Sequence, residues 1–364
     1  MTDKDFHFLV ESAGMAPSSD NTQPWTFSPG PDFIDVYMVR DRLLAIDVLD
    51  MYSFISIGAA IENMILAAGI RGLECRPDFS PADALDQKND SSQSLIPVAR
   101  LHFTPADSVS AYPAVTFSER HTDRRKFSTR VLPDSMIKEL SGAAAGSGTA
   151  VHWIRDIDTR KQLVGIDSVF SSILLSHPPL FDGLFNTVKF SRRKLLSDGW
   201  GMDIKSLDLP FPAAIALRIF GSRSLGRIIA RWGVGPLVAK GLSERLSFCG
   251  ALCLVTAPGR SRRAFLEAGR TMQSVWLKAT ELGLSVHPYG VITQYLHMAE
   301  LEPWRFTREA VATIKDAKPH FSGLFGCPET RHPVMILRLG YGTGRQRSRL
   351  TVRFPPEKIM TAVP

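Results

Sequence analysis

Apolar and polar positions alternate along 33–39, FIDVYMV, and again along 98–104, VARLHFT, the period of half-buried strands. Between them Ile57, Ile61, Ile65 and Ala68 recur at helical spacing, which predicts a helix over 54–70. Ahead of both, Phe8, Leu9, Ala13 and Ala16 outline the face of a helix that starts near Asp5 and meets a stop signal at Pro17. The polar stretch 83–94, DALDQKNDSSQS, predicts a loop, and a first unit closes near residue 115.

The same order of patterns then restarts. LPDSMIKEL opens a helix over 135–145, and AVHWIRD (150–156) follows as a strand. ALCLVTA (251–257) is apolar throughout and predicts a buried strand. Ala268, Met272, Val275, Ala279 and Leu282 share one face of a helix over 265–284, and PVMILRLGYG (333–342) is a second apolar strand ending in glycines. Two units with one plan are what an internal duplication leaves behind. Within the second, 211–242 interleaves apolar residues with Arg218, Arg223, Arg227 and Arg231. Such a segment can cap a pocket as a lid, lie on a membrane surface, or pack as core helices with snorkelling arginines.

Composition narrows the class. With 364 residues and 44% hydrophobic side chains, the chain has material for about two domains and an ample core. No run of about 18 apolar residues is expected anywhere, and MTDKDFHFLVES lacks a signal-peptide layout, so a soluble, cytoplasmic protein without stable membrane insertion is expected. Cys75, Cys249, Cys253 and Cys327 match neither a zinc spacing nor a disulfide framework and read as buried thiols. The nine histidines show no ligand spacing either, so no metal is expected.

The charge of +7 is concentrated in clusters at 120–126, 191–194, 259–263 and 344–353, which suit anionic ligands. No nucleic-acid-binding signature accompanies them, so nucleic acid is not expected as a partner and the phosphate of a small cofactor suits the charge. P-loop, zincin, EF-hand and nucleophile-elbow motifs are absent. Gly340, Gly342 and Gly344 form G-x-G-x-G after a strand, but no second βαβ unit follows, which disfavours a dinucleotide fold.

Two stretches carry candidate chemistry. APSSDNTQPW (16–25) concentrates prolines, residues that tolerate left-handed backbone, and donors and acceptors in one turn; RHTDRRKF (120–127) is a basic box ahead of a helix. The first resembles the flavin-facing loop of the nitroreductase superfamily and the second that family's Arg-x-Ser/Thr-x-basic box. In the family two subunits share each FMN, one giving the box and the other the loop. Here the first unit lacks a box and the second reads AAAGSGTAVHW where a loop belongs. The order is similar to the duplicated, single-chain Acg branch, in which one polypeptide mimics the homodimer.

The resemblance implies an α+β fold of two fused units, 1–115 and 116–364, each a central mixed β-sheet flanked by helices, with one FMN per chain. It places Arg120, Thr122 and Arg124 on the phosphate, ribityl chain and pyrimidine edge, with Arg124 and Arg125 competing for the last position. Pro17, Ser18, Ser19, Asn21 and Gln23 would close the site from the other unit. The Pro288-Tyr289-Gly290 turn would supply backbone donors near the flavin N5, and Arg345 and Arg347 would add to the phosphate site. Tyr289 and His287 are candidate proton donors. The implied activity is oxidoreductase chemistry between NADH or NADPH, or a metabolite, and a small electrophilic acceptor. The alternatives are an FMN-sequestering protein with little turnover and a flavin-fragmenting enzyme. Assembly as a monomer with an internal pseudo-dimer, or as a homodimer of it, is left open.

Overall fold

The computed structural model describes residues 1–85, 93–106, 113–209, 211–343 and 351–361. Most of the expected loop at 83–94, namely 86–92, lies outside them, as do Arg345 and Arg347; the start of that loop is instead the end of a helix, Ser80–Leu85.

The alternating stretch 33–39 is strand β2 (Phe33–Val39). With β1 (Trp25–Pro29), β3 (Leu73–Asp78) and β4 (Leu95–Pro105) it builds an antiparallel sheet in the order β1-β2-β4-β3. The remaining strands are β5 (Ala150–Ile154), β6 (Val188–Lys189), β7 (Met202–Asp203), β8 (Ala251–Ala257), β9 (Ser285–Tyr289) and β10 (His332–Gly340). Four of these form the second antiparallel sheet, β5-β8-β10-β9, while β6 and β7 pair as a short parallel ribbon. Matched in chain order, the two sheets have the same topology, so the chain contains two half-units. Among the described residues, the parallel pairing of the two main sheets consists of isolated bridges at their edges, Thr122 with Val286 and Phe27 with Met360.

In each half-unit a 20-residue helix links the second strand to the third: Met51–Ile70 and Arg262–Glu281. The two helices pack on each other through glycines. A Cβ on Gly58 would lie 2.0 Å from the Leu266 carbonyl oxygen, and one on Gly269 would lie 2.1 Å from that of Ile55. The contacts are reciprocal, as a two-fold relation between half-units requires. Gln273 Nε2 donates to Asn63 Oδ1 (2.6 Å), and Arg270 bridges Glu62 (3.0 Å) and Glu267 (2.9 Å) across the seam. Because the first helix is enclosed by both half-units it is apolar nearly all round. By length and composition Val48–Ile70 could cross a membrane, contrary to the expectation that no such run exists; its window is mostly buried, and polar Ser53, Ser56, Glu62 and Asn63 interrupt the pattern without lowering its average.

Both ends of the second half-unit reach over the first. Arg120 donates from Nη2 to Met15 O (3.1 Å). At the other end, Thr361 N donates to Phe27 O (2.9 Å) and Thr26 Oγ1 to Ile359 O (3.0 Å), so the last described segment lies along β1. The largest addition to the plan falls between β5 and β8 and includes helices Ile157–Ser176, Phe211–Trp232 and Gly235–Ser243.

Candidate functional site

The opening loop is built from backbone that few residues adopt. After the helix Asp3–Gly14, Asp20 (φ 49°), Asn21 (φ 58°) and Gln23 (φ 51°) all take left-handed conformations, tolerable because Asp and Asn bear them better than other L-residues. Amide side chains hold it there. Gln23 donates from Nε2 to Gly199 O (2.9 Å) and accepts at Oε1 from Phe354 N (2.8 Å). Asn21 donates from Nδ2 to Val352 O (3.0 Å) and accepts at Oδ1 from Arg353 Nη1 (2.6 Å).

That scaffold aims Pro17, Ser18, Ser19 and Asp20 into a cavity of about 320 Å³ between the half-units. Gln23, expected to close the site, is fully buried outside its lining, since its amide is committed to the scaffold. Asn21 lines only an adjoining outer chamber of about 180 Å³. The two chambers share Pro17, Ser18, Asp20, Thr122, Arg124 and Met202 as walls. The inner volume lies at the lower end of ligand pockets, roughly 300–1,000 Å³.

The basic box reaches the cavity from the other half-unit. Arg120 lies with its guanidinium 4.4 Å from the Trp276 ring, at the wall of the outer chamber. Thr122 is docked beside β9 by the bond from Asp123 N to Val286 O (2.9 Å). Arg125 folds back onto the Asp123 carboxylate (2.6 Å), whereas Arg124 lines both chambers and donates to Ser206 O (3.2 Å). Burial lowers the Arg124 pKa, opposed in part by Asp20. Burial also raises the Asp20 carboxyl to about 6, against the Thr187 hydrogen bond and the Arg124 charge.

Arg338 fixes this box, and nothing in the apolar run 333–342 announced it. Fully buried on β10, it donates from Nη2 to Arg125 O (2.6 Å) and Asp123 O (3.3 Å), and from Nη1 to Arg245 O (2.9 Å). Desolvation brings its pKa down to about 10.

His287–Tyr289 are the end of strand β9 rather than a turn, Gly290 follows them, and all four residues line the inner chamber. A Cβ on Gly290 would fall 2.5 Å from the Tyr52 hydroxyl, which donates to Gly290 O (2.6 Å), so any other residue there would displace the Tyr52 ring. Gly290 and Val291 are also the N-cap and first residue of the helix Val291–Leu301, whose first-turn N–H groups have no partner within the helix. His287 is held neutral, its pKa driven well below the ordinary value by burial and by Arg338, Arg124 and Arg245. Its buried Nδ1 has no hydrogen-bond partner among the described residues. The Tyr289 hydroxyl donates to Asp167 Oδ2 (2.7 Å), which faces it from the helix Ile157–Ser176. Burial, then the Asp167 charge, raises the Tyr289 pKa well above its usual value, while burial lifts Asp167 to about 6.

Leu174, Leu175, Phe185, Leu207 and Leu209 cover the inner chamber. From 211–242, the expected lid, only Leu242 takes part among the described residues, because the helices there stand away from the opening. The outer chamber gathers Arg120, Arg124, Lys205 and Arg353. Arg353 escaped the sequence reading, its only signal being membership of the basic run 344–353. Burial pushes its pKa to about 10, and its buried Nε has no hydrogen-bond partner among the described residues. Tyr52, Arg245 and Trp276 were likewise unsignalled wall residues. Cys249, Cys253 and Cys327 are buried free thiols, Cys75 is partly buried, and no metal-ligand cluster occurs among the described residues.

No family model matches the chain. It is 24% identical over 291 residues to "Uncharacterized protein MT1398" of Mycobacterium tuberculosis, covering 79% of this chain but only 39% of that protein. It is 25% identical over 344 residues to "Putative NAD(P)H nitroreductase Rv3131" of the same organism, covering 92% of this chain and 84% of the relative. Among solved structures, a nitroreductase with bound FMN from Desulfitobacterium hafniense aligns over 69% of this chain and 97% of its own (TM-score 0.36, 15% identity). A nitroreductase-like family protein from Bacillus cereus aligns over 70% and 99% (TM-score 0.36, 16% identity). The chain's own fold is α+β, with two half-units whose sheets share one topology.

Proposed function

We propose that the chain is an FMN-dependent oxidoreductase of nitroreductase type, cytoplasmic, with one FMN in the cleft between half-units that arose by duplication, as in the Acg-like branch. The observation that carries the reading is the cleft's polarity. The outer chamber gathers Arg120, Arg124, Lys205 and Arg353, and the inner one adds apolar walls from Leu174, Leu175, Phe185 and Leu207 beside β9 and the Ser18–Asp20 turn, with Arg124 and Arg245 as its cations. The orphaned Arg353 Nε and His287 Nδ1 are donor or acceptor positions that a polar ligand would satisfy, so the residues fit the group.

When bound, the flavin supplies the hydride-accepting atom, and its reduced form carries negative charge along the pyrimidine edge. The chain's part is placement. Arg120 and Arg353 would hold the phosphate, Arg124 would put a cation beside the pyrimidine edge, and the first-turn N–H groups after Gly290 would face the central ring. Leu174, Leu175, Phe185 and Leu207 exclude water from the inner chamber. Tyr289 holds a proton on its hydroxyl at neutral pH, with Asp167 fixing its orientation.

What fills the mirrored position supports a single complete site. Ser56 lines the cavity; its counterpart across the reciprocal helix pair is Glu267, which pairs with Arg270, itself also paired with Glu62 in the seam. Gly146 and Ser147, in the second half-unit's reduced loop, bond directly to Thr271 (2.9 Å) and Glu267 (3.0 Å) of that helix, leaving no turn free.

The test is anaerobic titration of FMN-loaded protein with NADPH and with NADH. Bleaching by either supports the reductase reading. Bleaching by dithionite alone removes nicotinamide as reductant and leaves the sequestering or flavin-fragmenting alternatives.

A further inference from the structure

Among its described residues 209–243 contributes only Leu209 and Leu242 to the cavity, yet it carries a concentration of exposed apolar side chains. Helices Phe211–Trp232 and Gly235–Ser243 join at a turn through Gly233 (φ +63°). At that turn Trp232 and Leu237 are each 76% exposed, with Val234 and Val238 exposed beside them. On the first helix Phe211, Ile215 and Ile219, four residues apart, form a second exposed stripe. Clusters of exposed large apolar side chains mark interaction surfaces.

The polar residues among them carry one sign of charge. The segment 209–243 contains four arginines and Lys240 but no Asp or Glu. Arg218, Arg227, Arg231 and Lys240 are exposed. Trp232 stands between Arg231 and the Val234–Val238 tip, so bulky apolar groups and cations alternate within one turn.

We propose that this hairpin docks on an anionic lipid surface, Trp232 and Leu237 entering the headgroup–acyl boundary while Arg227, Arg231 and Lys240 meet lipid phosphates. The chemistry is that of interfacial helices, in which apolar burial and attraction to anionic headgroups act together and tryptophan sits at the boundary. A protein partner covering the same apolar tip would not require cations of one sign throughout. The attachment is peripheral: the hairpin's base is anchored in the protein by Leu209 and Leu242, and its second helix has nine residues.

The test is flotation of the full chain with extruded vesicles of phosphatidylcholine alone and with about 30% phosphatidylglycerol, at low and high salt. The expected result is recovery with the anionic vesicles only, reduced by salt. Trp232→Ser with Leu237→Ser should weaken partition about tenfold or more, as should Arg227→Glu with Arg231→Glu. All four positions are exposed, so the denaturation midpoint should stay at the wild-type value. No recovery with anionic vesicles, equal recovery with neutral ones, or variants that bind like wild type would overturn the proposal. So would a solution dimer that Trp232→Ser with Leu237→Ser dissociates, which would assign the tip to a second copy.

Discussion

Replacing Gly58 with alanine places a Cβ 2.0 Å from the Leu266 carbonyl oxygen and 2.8 Å from its carbon, where ordinary contact begins at 3.4 Å. The obstacle is backbone, so no side-chain rotamer relieves it, and the two central helices must part or bend. Parting them stretches the Gln273–Asn63 bond (2.6 Å) and the Arg270–Glu62 pair (3.0 Å). Overpacking costs about 1–3 kcal/mol, toward the upper end where backbone must move, and alanine's helix propensity returns about 1 kcal/mol. The expected net loss is about 2 kcal/mol, with the same loss for Gly269→Ala at the reciprocal contact. Gly165 is the control: it sits in the helix Ile157–Ser176 with nothing within 4 Å of its Cβ position, so Gly165→Ala should stabilise by up to about 1 kcal/mol. Urea unfolding reads all three as shifts in midpoint at unchanged slope. If Gly58→Ala and Gly269→Ala matched Gly165→Ala in sign, the close crossing of the half-units would be wrong.

Two further substitutions address the site. Arg353→Met should remove a cation from the outer chamber and one bond to Asn21 Oδ1 (2.6 Å), weakening FMN binding by about tenfold or more in a fluorescence-quenching titration while leaving riboflavin binding unchanged; equal losses for both flavins would place Arg353 in the scaffold alone. Asp167→Asn probes pH. The folded carboxyl holds its proton to about pH 6, the unfolded one releases it near 3.8, and the folded state therefore binds more protons between. Wild-type stability should fall relative to Asp167→Asn as pH rises from about 4 to 6, by roughly 3 kcal/mol at most; parallel stability profiles would show that burial does not raise Asp167.

The periodic elements were legible because each buries one face or all of itself. FIDVYMV and ALCLVTA coincide with β2 and β8, and the two long helices begin only three residues before their expected starts. β1 was hidden because Trp25–Ser28 is buried on both faces and shows no alternation, and β9 because Pro288 reads as a turn. Proline is tolerated there since β9 is an edge strand. Within the site, Asp20 and Asn21 advertised their left-handed backbone, and the box advertised its charge. The roles of Gln23, Arg338 and Arg353 were not readable, because a partner hundreds of residues away decides whether a polar side chain faces a ligand or holds backbone. Gln23 meets Phe354, and Arg338 meets Asp123 and Arg125.

The central claim is one flavin site shared by two half-units of a single chain. Its most direct test is the stoichiometry of FMN after saturation and gel filtration, read from the visible absorbance spectrum and from flavin released on denaturation. The account predicts about one FMN per chain, because the mirrored position is filled by Arg270, Glu62 and Glu267. Two per chain would contradict the single site, and no retained flavin would contradict the assignment of the cleft itself.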